Sequence, residues 1–81
     1  MKLEVNLFAG LREAAGCSRL TIELAEPSTA GNVVDEVLKQ IPQGHDWMKV
    51  CRLAVDDAYV DPDHIVKSGS RCDLIPPVSG G

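Results

Sequence analysis

Aromatic residues are scarce, with one Phe, one Tyr and one Trp among 81 residues, so any core must be mostly aliphatic. Cysteines are few and odd in number, Cys17, Cys51 and Cys72, with no Cys-x-x-Cys pair. That excludes an internally complete disulfide framework, argues against a structural zinc site and favours a reducing compartment. Cys51 and Cys72 lie in strand-like apolar stretches as inert hydrophobes, whereas Cys17 lies in a turn. Positive charge is also short: eight Lys and Arg stand against twelve Asp and Glu, for a net charge of −4. The eight are scattered along the chain, which leaves no footprint for nucleic acid or anionic lipid. Long apolar runs are missing, and Lys2, Glu4 and Asn6 interrupt the first one. Neither a signal peptide nor a membrane span is expected, and the expected location is the cytoplasm. Internal repeats and low-complexity segments are absent too.

What is present is an ordinary globular composition, 44% hydrophobic and 25% charged, in a length that allows one small domain. Leu3, Val5 and Leu7 alternate with Lys2, Glu4 and Asn6, the period of a strand with one buried face, over Lys2 to Phe8. Leu11 to Ala15 reads as a short helical turn ending at Gly16. Leu20, Ile22 and Leu24 then alternate with Arg19, Thr21 and Glu23 as a second strand, antiparallel to the first. Pro27, Ser28 and Thr29 break that strand and supply hydroxyl caps. Val33, Val34, Val37, Leu38 and Ile41 recur at helical spacing until Pro42 and Gly44, with Asp35, Glu36, Lys39 and Gln40 on the wet side. Val50 to Val55 reads as a third long strand, Asp56 to Ala58 as a turn into Tyr59 and Val60, and Arg71 to Ile75 as a last strand after a turn at Gly69. Pro76 and Pro77 forbid further ladder bonding.

This order predicts an α+β fold: a mixed sheet packed on one main helix, with the last long strand parallel to the first, which is the β-grasp, ubiquitin-like arrangement. The domain is expected over residues 1–75, with 76–81 as a flexible, extended C-terminal tail.

The body of the domain offers little chemistry. His45 and His64 are far apart in sequence with no spaced ligand set, and they read as surface residues. Asp56, Asp57, Asp61 and Asp63 match no calcium loop and lack its closing glutamate, so they read as a solvated acidic loop. Gly10 and Gly16 superficially resemble a phosphate-binding loop, but the spacing is one residue too long and Cys17 stands where lysine belongs. Without a nucleophile, base and orienter set the domain is not expected to be an enzyme by itself. Chemistry must come from a partner or from the end of the chain.

That end reads Pro76, Pro77, Val78, Ser79, Gly80, Gly81. Two prolines stiffen the exit and two glycines leave a thin tip, able to thread a channel where any Cβ would collide. A carboxylate delivered this way is a poor electrophile; activation as an acyl adenylate would open its carbonyl to sulfur or amine attack. The alternative is a frayed glycine tail with no chemistry.

The residues Leu7, Phe8, Ala9, Gly10, Leu11, Arg12 and Glu13, then Ala54 and Val55, and above all Ile75 through Gly81 resemble the small, sulfur-carrying subunits of molybdopterin synthases, within the ubiquitin-like sulfur carriers that include the thiamin carrier. The resemblance runs nearly end to end. It implies a β-grasp fold and a terminal glycine, here Gly81 preceded by Gly80, that is adenylated and then converted to a thiocarboxylate. It implies no stably bound cofactor, the ATP being used by a ubiquitin-activating-like adenylyltransferase. A sulfur donor protein and a larger catalytic subunit, assembled as a heterotetramer, are the implied partners, and the sulfur would build the dithiolene of molybdopterin in two deliveries. Phe8 and Arg12 would face partner proteins, and Pro76, Pro77, Val78 and Ser79 would line the docking path. The other reading is that the Phe8 ring folds over the edge of the core and that Arg12 and Glu13 merely solvate a turn. Two positions depart from the family pattern: Ser68, Gly69, Ser70 and Arg71 replace a commonly acidic turn, and Asp73 stands where a small apolar residue is usual. Other readings of the same tail are a carrier for thiamin or transfer-RNA thiolation, a protein modifier joined to lysines through Gly81, and a plain interaction domain.

Overall fold

The computed structural model describes residues 1–47 and 50–77, with the side chain of His45 outside that description. The strands are β1 (Lys2–Leu7), β2 (Arg19–Glu23), β3 (Ser28–Thr29), β4 (Arg52–Val55), β5 (Ala58–Tyr59), β6 (Ile65–Val66) and β7 (Cys72–Ile75). The helices are α1 (Ala9–Ala15) and α2 (Ala30–Lys39), and a 3-10 turn spans Gly44–Trp47. The main sheet runs β2-β1-β7-β4-β5, with β1 and β7 parallel and every other neighbour antiparallel. This is the expected mixed sheet.

Alternation sets its two faces. Leu3, Val5 and Leu7 point inward from β1, opposite Ile22 and Leu20 of β2, and Cys72, Leu74, Leu53 and Val55 continue that layer. Onto it packs α2, whose Ala30, Val33, Val37 and Leu38 are buried at helical spacing. A capping box starts the helix: Asn32 N–H donates to Thr29 Oγ1 at 3.2 Å, and Thr29 N–H donates to Asn32 Oδ1 at 3.1 Å. The chain then doubles back at Gly44, where any Cβ would run into the Leu38 carbonyl.

Three local expectations are corrected. The third long strand begins at Arg52 rather than Val50, because Val50 and Cys51 donate their N–H groups to Trp47 O at 3.1 and 3.0 Å and so close the 3-10 turn instead of joining the ladder. The first helical turn is a full helix, α1, from Ala9 to Ala15. Leu11 anchors it in the core, and Gly16 ends it in the left-handed region at φ 75°, donating its N–H to Arg12 O. A small second sheet was not expected at all: β3 pairs β6 through Ser28↔Val66 and Thr29↔Ile65. It holds the start of α2, whose Ala30 and Gly31 N–H groups donate to His64 O and Pro62 O, both at 2.8 Å.

Candidate functional site

The parallel β1–β7 pairing places the site. Its register, Val5↔Cys72, Asn6↔Asp73 and Leu7↔Leu74, brings the residue after β1 and the residue after Leu74 to the same end of the sheet. The first of these is Phe8, which stays extended at φ −128° and ψ 155° before α1 begins. It therefore continues the outward alternation of Glu4 and Asn6, and it is 39% exposed. The reading of Phe8 as surface rather than core is the one that holds.

On the other flank of β7, Arg52 of β4 lies opposite Ile75, and Ala54 opposite Tyr59. The Arg52 guanidinium lies over the Tyr59 ring, 4.3 Å from its centroid, a cation–π contact that holds both side chains against the outer face. Val50, Arg52, Tyr59, Ile75, Pro76 and Pro77 surround a hollow of about 210 Å³. The end of β7 is thus bordered by Phe8 on one side and by exposed Val50 and Tyr59 on the other. Pro76 is buried and Pro77 is exposed, so the chain leaves the body of the domain after Pro76. Val78, Ser79, Gly80 and Gly81 lie outside the described residues.

Phe8 and Arg12 line a second hollow with Asn6, Ser18, Arg19 and Arg71. Sequence reasoning singled out Phe8 and Arg12, noted Arg71 only within a turn that departs from the family pattern, and gave Arg19 no site role. The alternation of Arg19, Thr21 and Glu23 with buried residues carried the signal that Arg19 points outward, though not what it would meet there. Beneath Arg71 lies Asp73, one of the departures from the family pattern. It is only 7% exposed, receives Asn6 Nδ2–H at 2.8 Å, and its Oδ2 lies 3.5 Å from Arg71 Nε. The charge is hydrogen-bonded and paired rather than orphaned.

Cys51 and Cys72 adjoin hollow-lining residues in sequence, yet their own thiols are shielded. Burial pushes Cys51 up to about 11. Burial, then the charges of Asp56 and Asp73, push Cys72 up to about 11. Such thiols are poor nucleophiles near neutral pH. Among the described residues no three of His, Cys, Asp and Glu are grouped to hold a metal ion, and no helix is long and apolar enough to cross a membrane.

Comparison with known proteins agrees with this geometry. The family model described as "ThiS family" matches residues 5–81. The molybdopterin synthase sulfur carrier subunit of Chlamydomonas reinhardtii is 32% identical over 83 residues, covering 100% of both chains. Among solved structures, SAMP1 from Haloferax volcanii superposes with a TM-score of 0.84 at 23% identity, covering 100% of both chains, a likeness of fold. A chain of the complex between subunits 1 and 2 of the molybdopterin-converting factor from Helicobacter pylori is 26% identical with a TM-score of 0.67, again over 100% of both chains. A β-grasp body, an outward Phe8 beside the exit of the last strand, and a family match reaching Gly81 agree: this chain belongs to the ThiS family of ubiquitin-like sulfur carriers.

Proposed function

We propose that this chain is the sulfur carrier of a molybdopterin synthase, working through the Gly81 carboxylate. The observation that carries the reading is the parallel β1–β7 register, which sets exposed Phe8 beside the strand that leads out to Gly80 and Gly81. Docking and delivery then belong to one end of one sheet. Burial of Pro76 supports the reading further, because a chain anchored there leaves five residues that can span at most about 17 Å when extended. That is enough to enter a neighbouring active site while Phe8 and Pro77 rest on its rim.

In this reading the Gly81 carboxylate attacks the α-phosphate of ATP on an adenylyltransferase, releasing pyrophosphate and leaving an acyl adenylate. The terminal sulfur of a donor-protein persulfide attacks the carbonyl and AMP departs, leaving an acyl disulfide; a second thiol then attacks the donor's sulfur, forms a disulfide with it and releases the Gly81 thiocarboxylate. The carrier contributes reach and orientation; the catalytic groups are the partners'. A larger synthase subunit then receives the tail and takes the sulfur into the dithiolene of molybdopterin, one carrier per sulfur. The similarity to sulfur carrier subunits of molybdopterin synthases, and to a chain seen in complex with its second subunit, supports this partner.

The test is an intact mass after incubation with ATP, an activating enzyme and a sulfur donor, with fragmentation to locate the change. Replacement of one oxygen by sulfur at Gly81 is expected, followed by loss of that sulfur when the larger subunit and a cyclic pterin precursor are added. An unmodified terminus beside a competent activating enzyme would refute the reading, and conjugates to lysines of other proteins would replace it with the modifier reading.

A further inference from the structure

The chain has four arginines, Arg12, Arg19, Arg52 and Arg71, and three of them line one hollow of about 460 Å³ beside Phe8. They reach it from three elements: Arg12 from α1, Arg19 from the start of β2, and Arg71 from the residue before β7. Sheet register explains the convergence. Asn6 lies opposite Arg19 on one side and Asp73 on the other, and Arg71 precedes Asp73 by two residues, on the same outward face.

Nearby carboxylates offset this charge only in part: Asp73 is covered by Arg71, whereas Glu4 is as exposed as the Arg19 it pairs with. Arg19 donates from Nε to Asn6 Oδ1 at 3.2 Å and from one terminal nitrogen to Glu4 Oε2 at 3.3 Å, which fixes the side chain and leaves its second terminal nitrogen free of both bonds. Glu4 lines an adjoining hollow that shares Asn6, Arg19 and Arg71 with this one. Arg71 meets Asp73 through Nε, and the Asp73 side chain is 9% exposed against 61% for Arg71, so the cation covers the anion. The Arg12 side chain forms no hydrogen bond or ion pair among the described residues. No carboxylate lines the hollow. In a chain of net charge −4, this concentration of guanidinium groups is local and built.

We infer that the hollow formed by Arg12, Arg19 and Arg71 receives an acidic segment of the larger partner subunit, a run of Asp or Glu side chains docking beside Phe8. The inference rests on the carrier reading above and specifies the partner's surface. Planar guanidinium forks match carboxylates two bonds at a time, and two of the three forks are already held in place by Glu4, Asn6 and Asp73. The hollow is continuous with Phe8, so one partner surface could cover the ring with apolar atoms and the arginines with carboxylates. Such complementarity acts on encounter rate and on partner choice, and it falls with salt.

The experiment is a calorimetric titration of the full chain with the larger molybdopterin synthase subunit of the same organism, at low and high sodium chloride. Wild-type binding should weaken with salt. Arg12→Glu should weaken it several-fold at low salt, and Arg12→Glu combined with Arg19→Glu and Arg71→Glu by about tenfold or more, with a flatter salt dependence. Lys39→Glu, the same change of charge on the exposed face of α2, should leave it unchanged. The Arg12 side chain is exposed and makes no hydrogen bond or ion pair among the described residues, so the single variant remains informative if the triple variant is unstable. Unchanged affinity and salt dependence in Arg12→Glu, or an equal loss in Lys39→Glu, would overturn the inference. Thiocarboxylate formation at Gly81 is read separately by mass. If it forms in wild type and the arginine variants bind normally, only the docking inference fails; if it does not form, the carrier reading and this inference fail together.

Discussion

Asn6 donates from Nδ2 to Asp73 Oδ1 at 2.8 Å, across the parallel pair that joins the first strand to the last. The two residues are 67 positions apart in sequence, so the bond forms only when the sheet closes. Asp73 is also paired with Arg71, and its burial means that removing it leaves two polar partners to find water or none. Asp73→Ala is expected to cost about 1–3 kcal/mol in urea unfolding. Asn6→Ala in the Asp73→Ala background should cost less than Asn6→Ala alone, and simple additivity of the two would show that the bond contributes nothing.

A second expectation concerns the thiols. With Cys51 and Cys72 both pushed up to about 11, the thiolate fraction at pH 8 is on the order of one in a thousand. Iodoacetamide at pH 8 should leave both unmodified in the native chain and label both once urea unfolds it. Peptide mapping of native protein that finds Cys72 alkylated as fast as a free thiol would contradict the burial described here.

Legibility in the sequence followed the range of the forces involved. Strand β1, the β1–β2 hairpin and helix α2 were readable because Leu3, Val5 and Leu7, or Val33, Val37 and Leu38, repeat at the period of the element that buries them. The β3–β6 pairing was not, since two residues on each side carry no period and Ser28 and Val66 meet only through tertiary structure. Val50 and Cys51 have strand-forming chemistry, yet Trp47 O takes their N–H groups first. At the candidate site, Phe8 and Arg12 sit in one local motif and were found together. Arg19 and Arg71 join them through strand register, which no local pattern encodes. Asp73 was legible only as a charge where a small apolar residue is usual; that Asn6 and Arg71 bury and pair it follows from strand register.

Acid should loosen the contact between the loop that precedes β3 and the turn that follows β6. Glu26 accepts from Ser68 N–H at 3.2 Å and from Ser68 Oγ–H at 3.0 Å, and these bonds hold its carboxyl below the ordinary 4.5. A carboxyl depressed by folding stabilises the native state above its unfolded value, and that contribution is lost as pH falls through the lower, folded value. The stability of wild type relative to Glu26→Gln should therefore be constant above 4.5 and shrink below it. Urea midpoints of the two proteins at neutral and at acid pH measure this, and parallel curves throughout would show that the Ser68 bonds do not favour the charged form.

Leu7 and Phe8 are chain neighbours that face opposite sides of the sheet. Leu7 is 2% exposed among the sheet and helix side chains of the core, whereas Phe8 is 39% exposed at the exit of the last strand. Leu7→Ala should open a cavity and cost about 2–5 kcal/mol, while Phe8→Ala should cost under about 1 kcal/mol. Binding should show the reverse order. Phe8→Ala is expected to weaken association with the larger synthase subunit by about tenfold or more, since an aromatic ring at the centre of a contact carries a large share of its energy. Leu7→Ala, measured where it remains folded, should bind within a few-fold of wild type. If Phe8→Ala instead lowered stability as much as Leu7→Ala and left binding intact, the ring would be closing the core's edge, and the docking face would have to lie elsewhere on the sheet.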